Sequence, residues 1–390
     1  MKVAIVSYGH IDSILPLAKR LAEKVQLDLY ICVYGEKFTE SIGSFDLSPY
    51  SNGIHDESVT IKLLGGKVCD YVNDSFRIFL LKFPDLKVKN IENIFISYEF
   101  AKYLNDQKYD IVHFNGIKLT QFIIAFFLKR KNVLWTIHDP FLHTGEERFS
   151  TTVLYKTIGF LGPNVVVHNK FWIKDFMRTY SVNPRNVFYV RHGTMEIYRS
   201  FCERDYNPDP QKKTLLFFGR ISKYKGLEYL VKAAIKSKNR VPNLKVVIAG
   251  EGKYCFDTSL IENNDLFECH NRYIGNEELV ELIQKCDVVV CPYIDATQSG
   301  VVLTAFALNK PVIASAVGGI PEVVIPEVTG KLVPPKDEDA LSDAIVDMLS
   351  DPEKLKNMSE NIKKQFISGE FSWEMIRDQM LDIYKTTLRS

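Results

Sequence analysis

The chain has 390 residues, with 49 lysines and arginines against 48 aspartates and glutamates, and therefore a net charge of +1. Hydrophobic residues make up 46% and charged residues 25%, which excludes a disordered chain, a collagen and a coiled coil. The length indicates two domains, each with enough apolar material for its own core. The near-zero charge argues against a dedicated nucleic-acid-binding protein, because such domains are strongly basic.

The two halves of the chain differ in charge. Residues 1–200 contain 25 basic and 20 acidic side chains, a net charge of +5, whereas residues 201–390 contain 24 and 28, a net charge of −4. A chance fluctuation is one interpretation, and a first half that faces an anionic surface is the other. The basic step at residues 127–131 has two interpretations as well, a solvated helix end or a contact with anionic lipid.

The distribution of cysteines and of apolar residues indicates the compartment. Seven cysteines, from Cys32 to Cys291, show neither a CxxC redox spacing nor the spacing of zinc ligands, a pattern typical of a reducing cytosol. The apolar run at residues 3–8 is too short for a signal peptide, and no uncharged stretch reaches the roughly 18 residues that a membrane span needs. We therefore expect a soluble cytoplasmic protein.

Strands and helices alternate through the first half. A strand at residues 3–8 leads into a turn at Gly9 and an amphipathic helix. Between residues 35 and 69 the periodicity fails, which predicts a long loop of the kind that is usually functional or mobile. Strands are further predicted at 28–33, 110–114, 132–137, 164–167 and 186–190. This alternation predicts a parallel sheet with helices on both faces.

A second alternating series follows a polar, proline-containing segment at residues 202–213, which is predicted to be a linker. Its strands are predicted at 214–218, 244–249, 271–274, 287–291 and 311–314. The fold class is therefore α/β, with two Rossmann-like, doubly wound domains that face a central cleft. The predicted domains are 1–203 and 204–371, and an amphipathic helix at 372–390 closes the chain.

The first candidate site follows the first strand of the second half. Gly219 permits a tight turn there, and Arg220 and Lys225 project from the same loop. A guanidinium binds phosphate oxygens in pairs, and an ammonium adds a point charge. The loop is either a diphosphate site or a solvated basic turn.

The second candidate site lies at the start of a predicted helix, where Ser299, Gly300 and Val301 follow the strand at 287–291. Exposed backbone N–H groups and the helix dipole favour an anion at such a position. Ligands of parallel sheets bind beyond the carboxyl ends of the strands, so both clusters are predicted to face one diphosphate. An ordinary serine-capped helix is the alternative.

The first half contributes fewer candidates. His138 follows a predicted strand, so its imidazole would face the cleft, although a satisfied structural histidine is the alternative. Gly9 stands alone and lacks the glycine fingerprint of a dinucleotide-binding turn, which disfavours NAD. Cys269 and His270 have no further ligands at zinc spacing. We therefore expect neither a cofactor nor a metal.

The second half resembles glycosyltransferase family 4, whose members are retaining enzymes of GT-B architecture. The resemblance is dense over residues 214–385 and looser before them, at the Gly9 turn, VLWTIHDP and VRHGTMEIY. It rests on the segments GRISKYKGLEYLV, VVIAGEG, ELIQKCDVVVCPY, SGVVLTAFALNKPVIASAVGGIPEVV and FSWEMI.

The resemblance implies a nucleotide-diphosphate sugar bound to the second domain. Arg220 and Lys225 would hold the diphosphate, and His138 would approach the donor sugar from the first domain, so these three are the predicted catalytic residues. The closing helix would return to the first domain. The residues implied to bind the donor are Gly9, Gly219, Tyr273, Ile274, Asp295, Ser299, Gly300, Val301 and Thr304; of these, Tyr273 and Ile274 would flank the base.

One departure from the family pattern concerns its two glutamates in the spacing E-x7-E. The corresponding positions here are Ala296 and Thr304. A threonine hydroxyl binds a ribose more weakly than a carboxylate does. Asp295, one residue from the first position, is the candidate substitute.

The predicted function is metal-independent, retaining transfer of a hexosyl group from a UDP- or GDP-sugar to a hydroxyl of a glycan or lipid-linked acceptor, in cell-surface polysaccharide synthesis. Peripheral contact with the inner face of the membrane is expected, and the segments 35–69 and 141–150 are the expected acceptor contacts. A non-catalytic nucleotide-sugar sensor or scaffold is the main alternative, favoured by the missing glutamates. An epimerase and an NAD oxidoreductase are the others.

Overall fold

The computed structural model describes residues 1–40, 42–73, 75–87, 90–129, 132–141 and 149–389, with only the backbone described at 149–151. Two large sheets, both composed almost wholly of parallel strands, organise this chain. No helix within the described ranges is both long and apolar enough to cross a bilayer.

The first sheet belongs to the first half. Its strands are β1 Lys2–Tyr8, β2 Gln26–Tyr34, β5 Gly53–His55, β6 Arg77–Phe83, β7 Ile111–Asn115, β8 Val133–Ile137, β9 Asn164–Val167 and β10 Val187–Tyr189, and a separate hairpin consists of β3 Lys37–Glu40 and β4 Gly43–Asp46. The order is β10-β9-β8-β7-β1-β2-β6-β5, and only β5 runs antiparallel to its neighbour. The helices are α1 Ile11–Ala22, α2 Glu57–Leu64, α3 Gly66–Val72, α4 Ile91–Gln107, α5 Leu119–Phe127, α6 Phe149–Leu161 and α7 Ile173–Tyr180.

The second sheet is wholly parallel, in the order β13-β12-β11-β14-β15-β16. Its strands are β11 Lys213–Phe218, β12 Leu244–Ala249, β13 Phe267–His270, β14 Val288–Cys291, β15 Val312–Ser315 and β16 Gly330–Val333. The helices are α8 Leu227–Ser237, α9 Asn276–Lys285, α10 Gly300–Ala307, α11 Glu338–Ser350, α12 Pro352–Ile367 and α13 Trp373–Arg389.

The continuous apolar runs of the strands follow from burial on both faces. In β1, Val3 and Ile5 pack into one core, and Ala4 and Val6 pack into another. Successive side chains of a strand point to opposite faces, so a strand covered by helices on both sides must be apolar throughout. The run at residues 3–6 therefore marks a central strand of the sheet.

Two predictions of secondary structure are wrong. The interval 35–69 is not a loop, because it contains the hairpin β3–β4, β5, α2 and the beginning of α3. These elements are only three to eight residues long, which hides their periodicity. The strand predicted at 271–274 lies earlier, at Phe267–His270, and Ile274 packs against the core from the connection that follows.

The last helix, α13, packs on α1 of the first half. Its Tyr384 hydroxyl lies 2.9 Å from His113 Nδ1 on β7, and the Asn164 amide on β9 donates to the Thr387 hydroxyl at 3.0 Å. Residues 202–212, which precede β11, form neither helix nor strand. The chain thus crosses between the halves twice.

Candidate active site between the two sheets

The two clusters predicted at strand ends lie together in space, because β11 and β14 are neighbours in the sheet. Lys225 Nζ donates to the Tyr293 hydroxyl at 2.7 Å, and Ser299 Oγ donates to the same oxygen at 3.4 Å. A Cβ added to Gly219 would lie 3.5 Å from Val301 Cγ2. The basic loop and the start of α10 therefore form one wall of the cleft.

The start of α10 offers backbone donors to this wall. Ser299 caps the helix, and its hydroxyl accepts from Val302 N–H at 3.3 Å. Gly300 and Val301 belong to the first turn, whose N–H groups have no acceptor within the helix. Gly300 is exposed, so a ligand can reach this backbone.

Lys225 is a partly desolvated cation. Burial lowers the pKa of Lys225 to about 8, and the nearby Arg220 guanidinium also acts to lower it. The loop that carries Lys225 depends on Gly226, which has a positive φ of 64° and where an added Cβ would lie 2.0 Å from Pro292 O. An anion bound beside Lys225 would offset the cost of holding its charge away from water.

Arg220 is exposed on the same loop, where its Nη2 donates to the Tyr224 hydroxyl at 3.4 Å. A cavity of about 530 Å³ opens beside Tyr224, and Asp295 and Lys336 line its rim. Asp295 therefore lies on the cavity wall adjoining the basic loop.

Three other predicted donor residues lie apart from this wall. Tyr273 and Ile274 follow β13, two strands from β11 and thus roughly 10 Å away across the sheet; Tyr273 is 48% exposed. Thr304 is only 4% exposed, because it lies on the face of α10 that packs into the core. The predicted contact of its hydroxyl with a ribose stays a prediction.

His138 extends from the end of β8 into a group of imidazoles. It stacks on His10 with ring centroids 3.7 Å apart, and its Nε2 lies 2.9 Å from Asn115 Oδ1. Burial, together with the neighbouring histidines, lowers its pKa well below the usual value. The neutral ring is held by Asn115. Gly9 directly precedes His10 in the chain. Its φ is 67°, and a Cβ added to it would lie 2.8 Å from Glu40 Oε1.

Several residues that the sequence analysis did not select join the two halves. Asn169 Nδ2 donates to Thr297 O at 2.5 Å, Gln298 Nε2 donates to His168 O at 2.7 Å, and the Thr297 hydroxyl donates to the Asp139 carboxylate. These contacts follow strand ends, which was the only available signal for them. Of the segment 141–150 expected to contact an acceptor, residues 142–148 lie outside the described residues.

Comparison with known proteins agrees with this architecture. Residues 200–365 match the family model described as Glycosyl transferases group 1. An uncharacterized glycosyltransferase of Methanocaldococcus jannaschii is 31% identical over 192 residues, 47% of this chain and 48% of that one. The alpha-maltose-1-phosphate synthase of Mycobacterium tuberculosis is 31% identical over 234 residues, 54% of this chain and 60% of the relative. The chain therefore spans about half the length of the curated relatives that it matches.

A solved structure covers nearly the whole chain. The HepE protein of Anabaena in complex with UDP-glucose superposes with a TM-score of 0.67 at 14% identity, over 98% of this chain and 99% of that one. Two Rossmann-like halves that face each other across a cleft define a GT-B fold. Residues 200–365 are similar in sequence to the glycosyl transferases group 1 family. The predicted fold class and the predicted resemblance are both confirmed.

Proposed function

We propose that this protein transfers a hexosyl group from a nucleotide-diphosphate sugar to an acceptor hydroxyl, with retention of anomeric configuration. The observation that carries the proposal is the wall formed by Lys225, Tyr293 and Ser299 at the start of α10. It joins a partly buried ammonium to the N-terminus of a helix. That combination suits a diphosphate, which carries its charge on several oxygens.

Departure of the nucleotide diphosphate develops negative charge on its terminal phosphate. Lys225, Arg220 and the amides of Gly300 and Val301 would stabilise that charge in the transition state. With two cations and a helix dipole at this point, the leaving group needs no divalent cation. No side chain is assigned as a nucleophile in this proposal, so the acceptor would attack the same face of the sugar without a covalent intermediate.

UDP-glucose is the first donor to test, because the Anabaena structural neighbour binds it. In this proposal Tyr273 and Ile274 flank the base beyond β13, and Asp295 reaches the sugar in place of the missing glutamate. The predicted contact of His138 with the donor sugar stays a prediction, since hydrogen bonding to Asn115 occupies one of its two ring nitrogens.

A screen of nucleoside diphosphates and nucleotide sugars by thermal shift, with hydrolysis followed in parallel, tests the function. We expect nucleotides with one particular base to raise the melting temperature by several degrees, in proportion to the logarithm of ligand concentration. We also expect the nucleotide sugar with that base to release free sugar slowly. Stabilisation without turnover across a panel of acceptors would favour the sensor, which the absence of glutamate at Ala296 and Thr304 already recommends as second candidate. No stabilisation by any nucleotide would refute both.

The acceptor is proposed to be a glycan or lipid-linked saccharide at the cytoplasmic face of the membrane. One face of α4 exposes Ile91, Ile94, Phe95 and Tyr98, at helical spacing. The Tyr98 ring packs against the ring of Phe127 on α5, with ring centroids 5.0 Å apart. These residues and their α5 neighbours form one exposed apolar patch on the more basic half of the chain, as a lipid-binding surface requires.

The double variant Phe95→Ser and Phe126→Ser tests this surface, since the two phenylalanines are 62% and 75% exposed. We expect the double variant to bind vesicles rich in phosphatidylglycerol at least about tenfold more weakly, because it loses two aromatic insertions. Ile235→Ser, on α8 of the other half and 38% exposed, is the matched control and should bind as the parent does. Equal binding by all three proteins, measured by vesicle sedimentation, would exclude the patch.

A further inference from the structure

Three histidines from three adjacent strands converge under α13. His138 follows β8, His168 follows β9, and His192 lies shortly after β10. A ring nitrogen of each lies within 4.8 Å of those of the other two. The ring centroids of His168 and His192, the closest pair, are 4.8 Å apart.

Hydrogen bonding fixes the tautomers of two of these rings. His168 Nδ1 lies 2.8 Å from Val190 O, and His192 Nδ1 lies 3.0 Å from Gly193 O. A backbone carbonyl only accepts, so each Nδ1 carries the proton. In the neutral rings each Nε2 therefore presents a lone pair.

The tautomer of His138 follows from a chain of three bonds. The Ser7 hydroxyl donates to Gly9 O at 2.9 Å and therefore accepts from Asn115 Nδ2, also at 2.9 Å. This orients the Asn115 amide so that Oδ1 faces His138 Nε2 at 2.9 Å. His138 Nε2 must donate, which leaves Nδ1 with the lone pair.

A small cavity adjoins the three rings. Its volume is about 20 Å³, and Trp373, Ile376 and Met380 of α13 close one side of it. This volume suits one water or one ion. A single water has only two hydrogens and cannot satisfy three lone pairs, whereas a divalent cation can accept all three.

We propose that His138, His168 and His192 form a zinc site. Neutral imidazole is a preferred ligand of Zn²⁺, and three histidines with an open fourth position, filled by water, are a known arrangement. Each ring also donates its other N–H to an oxygen acceptor, the outer-shell contact that ligating histidines need. Within the described residues, no carboxylate or thiolate joins the three.

The geometry requires a modest contraction. Zn–N bonds of about 2.0 Å place ligand nitrogens roughly 3.3 Å apart in a tetrahedral site, against at most 4.8 Å here. His138 and His168 are only partly buried as whole residues, whereas His192 is 9% exposed. The site lies in the first half and borders the diphosphate wall, since Gln298, next to Ser299, donates to His168 O at 2.7 Å; it makes His138 a metal ligand.

The full chain, stripped with a chelator and then dialysed, is titrated with Zn²⁺ and with Co²⁺. We expect one equivalent to bind, a four-coordinate Co²⁺ absorption spectrum, and a melting temperature raised by about 3 °C at 100 times the Kd. His168→Gln and His192→Gln should each weaken binding by about 100-fold or more, while His55→Gln, outside the cluster, should bind as the parent does.

Circular dichroism of the metal-free variants checks that they fold, and the Co²⁺ spectrum of the unmodified chain tests the site without any variant. The proposal would be overturned if the unmodified chain bound Zn²⁺ no more tightly than His168→Gln does, or if its Co²⁺ spectrum were that of a six-coordinate ion. Nucleotide binding measured in chelator is independent of this result, so failure of the metal site and failure of the proposed transferase activity are distinguishable.

Discussion

Lys225→Ala is expected to lower kcat/KM for the nucleotide sugar by about 100- to 1000-fold. The ammonium is held beside Tyr293 and the start of α10, so its charge acts where the leaving group becomes negative. Burial makes this charge strong, because little water screens it. Steady-state kinetics with the donor found by thermal shift would measure the loss.

Lys232→Ala is the matched control, because Lys232 is exposed on α8, the helix that follows the loop, and pairs with Glu338 at 3.7 Å. It should change kcat/KM less than about twofold, since surface ion pairs contribute little. Arg220→Ala should resemble Lys225→Ala in direction. Near-normal turnover in both Arg220→Ala and Lys225→Ala would remove the phosphate role from this loop.

Deprotonation of Lys225 is expected to make the reaction with the donor depend on pH. The pKa of Lys225 is about 8 in the free protein, and only the protonated form attracts a diphosphate. Donor kcat/KM should therefore be constant below pH 8 and fall above it, by up to about tenfold for each pH unit. Lys225→Arg keeps its proton throughout, so its profile should lose this fall. An unchanged profile in Lys225→Arg would assign the titration to another group.

The parts of the fold that could be predicted are those governed by local periodicity. The apolar runs of β1 and β14 identify central strands, since burial on both faces leaves no position for polar side chains. The rule that ligands bind beyond the carboxyl ends of parallel strands then selected Arg220, Lys225 and Ser299 from the residues that follow strands. Neighbouring strands β11 and β14 bring these residues together.

The parts that could not be predicted depend on contacts between distant segments. His168 and His192 are 24 residues apart in the chain, and only the pairing of β9 with β10 brings them together. The burial of Thr304 depends on which face of α10 packs inward, and an almost wholly apolar helix carries no periodic signal of its orientation. The short elements between residues 35 and 69 were not predicted for a related reason. Each has too few residues to show a period of apolar side chains.

Trp373 anchors the start of α13, and its replacement is expected to cause a large loss of stability. Trp373 is 4% exposed, its Nε1 donates to Thr194 O at 3.0 Å, and a Cβ added to the adjacent Gly193 would lie 2.4 Å from Trp373 Cε2. Trp373→Ala should therefore lower the free energy of unfolding by about 3–5 kcal/mol, through the cavity and the unpaired carbonyl it leaves. The shift of the urea midpoint would measure this loss.

Two further variants separate the contributions to this anchor. Trp373→Phe keeps an aromatic ring against Gly193 but loses the donation to Thr194, so it should lose less stability than Trp373→Ala. Met375→Ala, two residues along α13 and 46% exposed, should change stability by less than about 0.5 kcal/mol. A loss in Trp373→Ala no larger than in Met375→Ala would mean that α13 is held by its later contacts, such as Tyr384 with His113. A large loss would instead make the start of α13 the point where the second half is fastened to the first, beside the histidine cluster it covers.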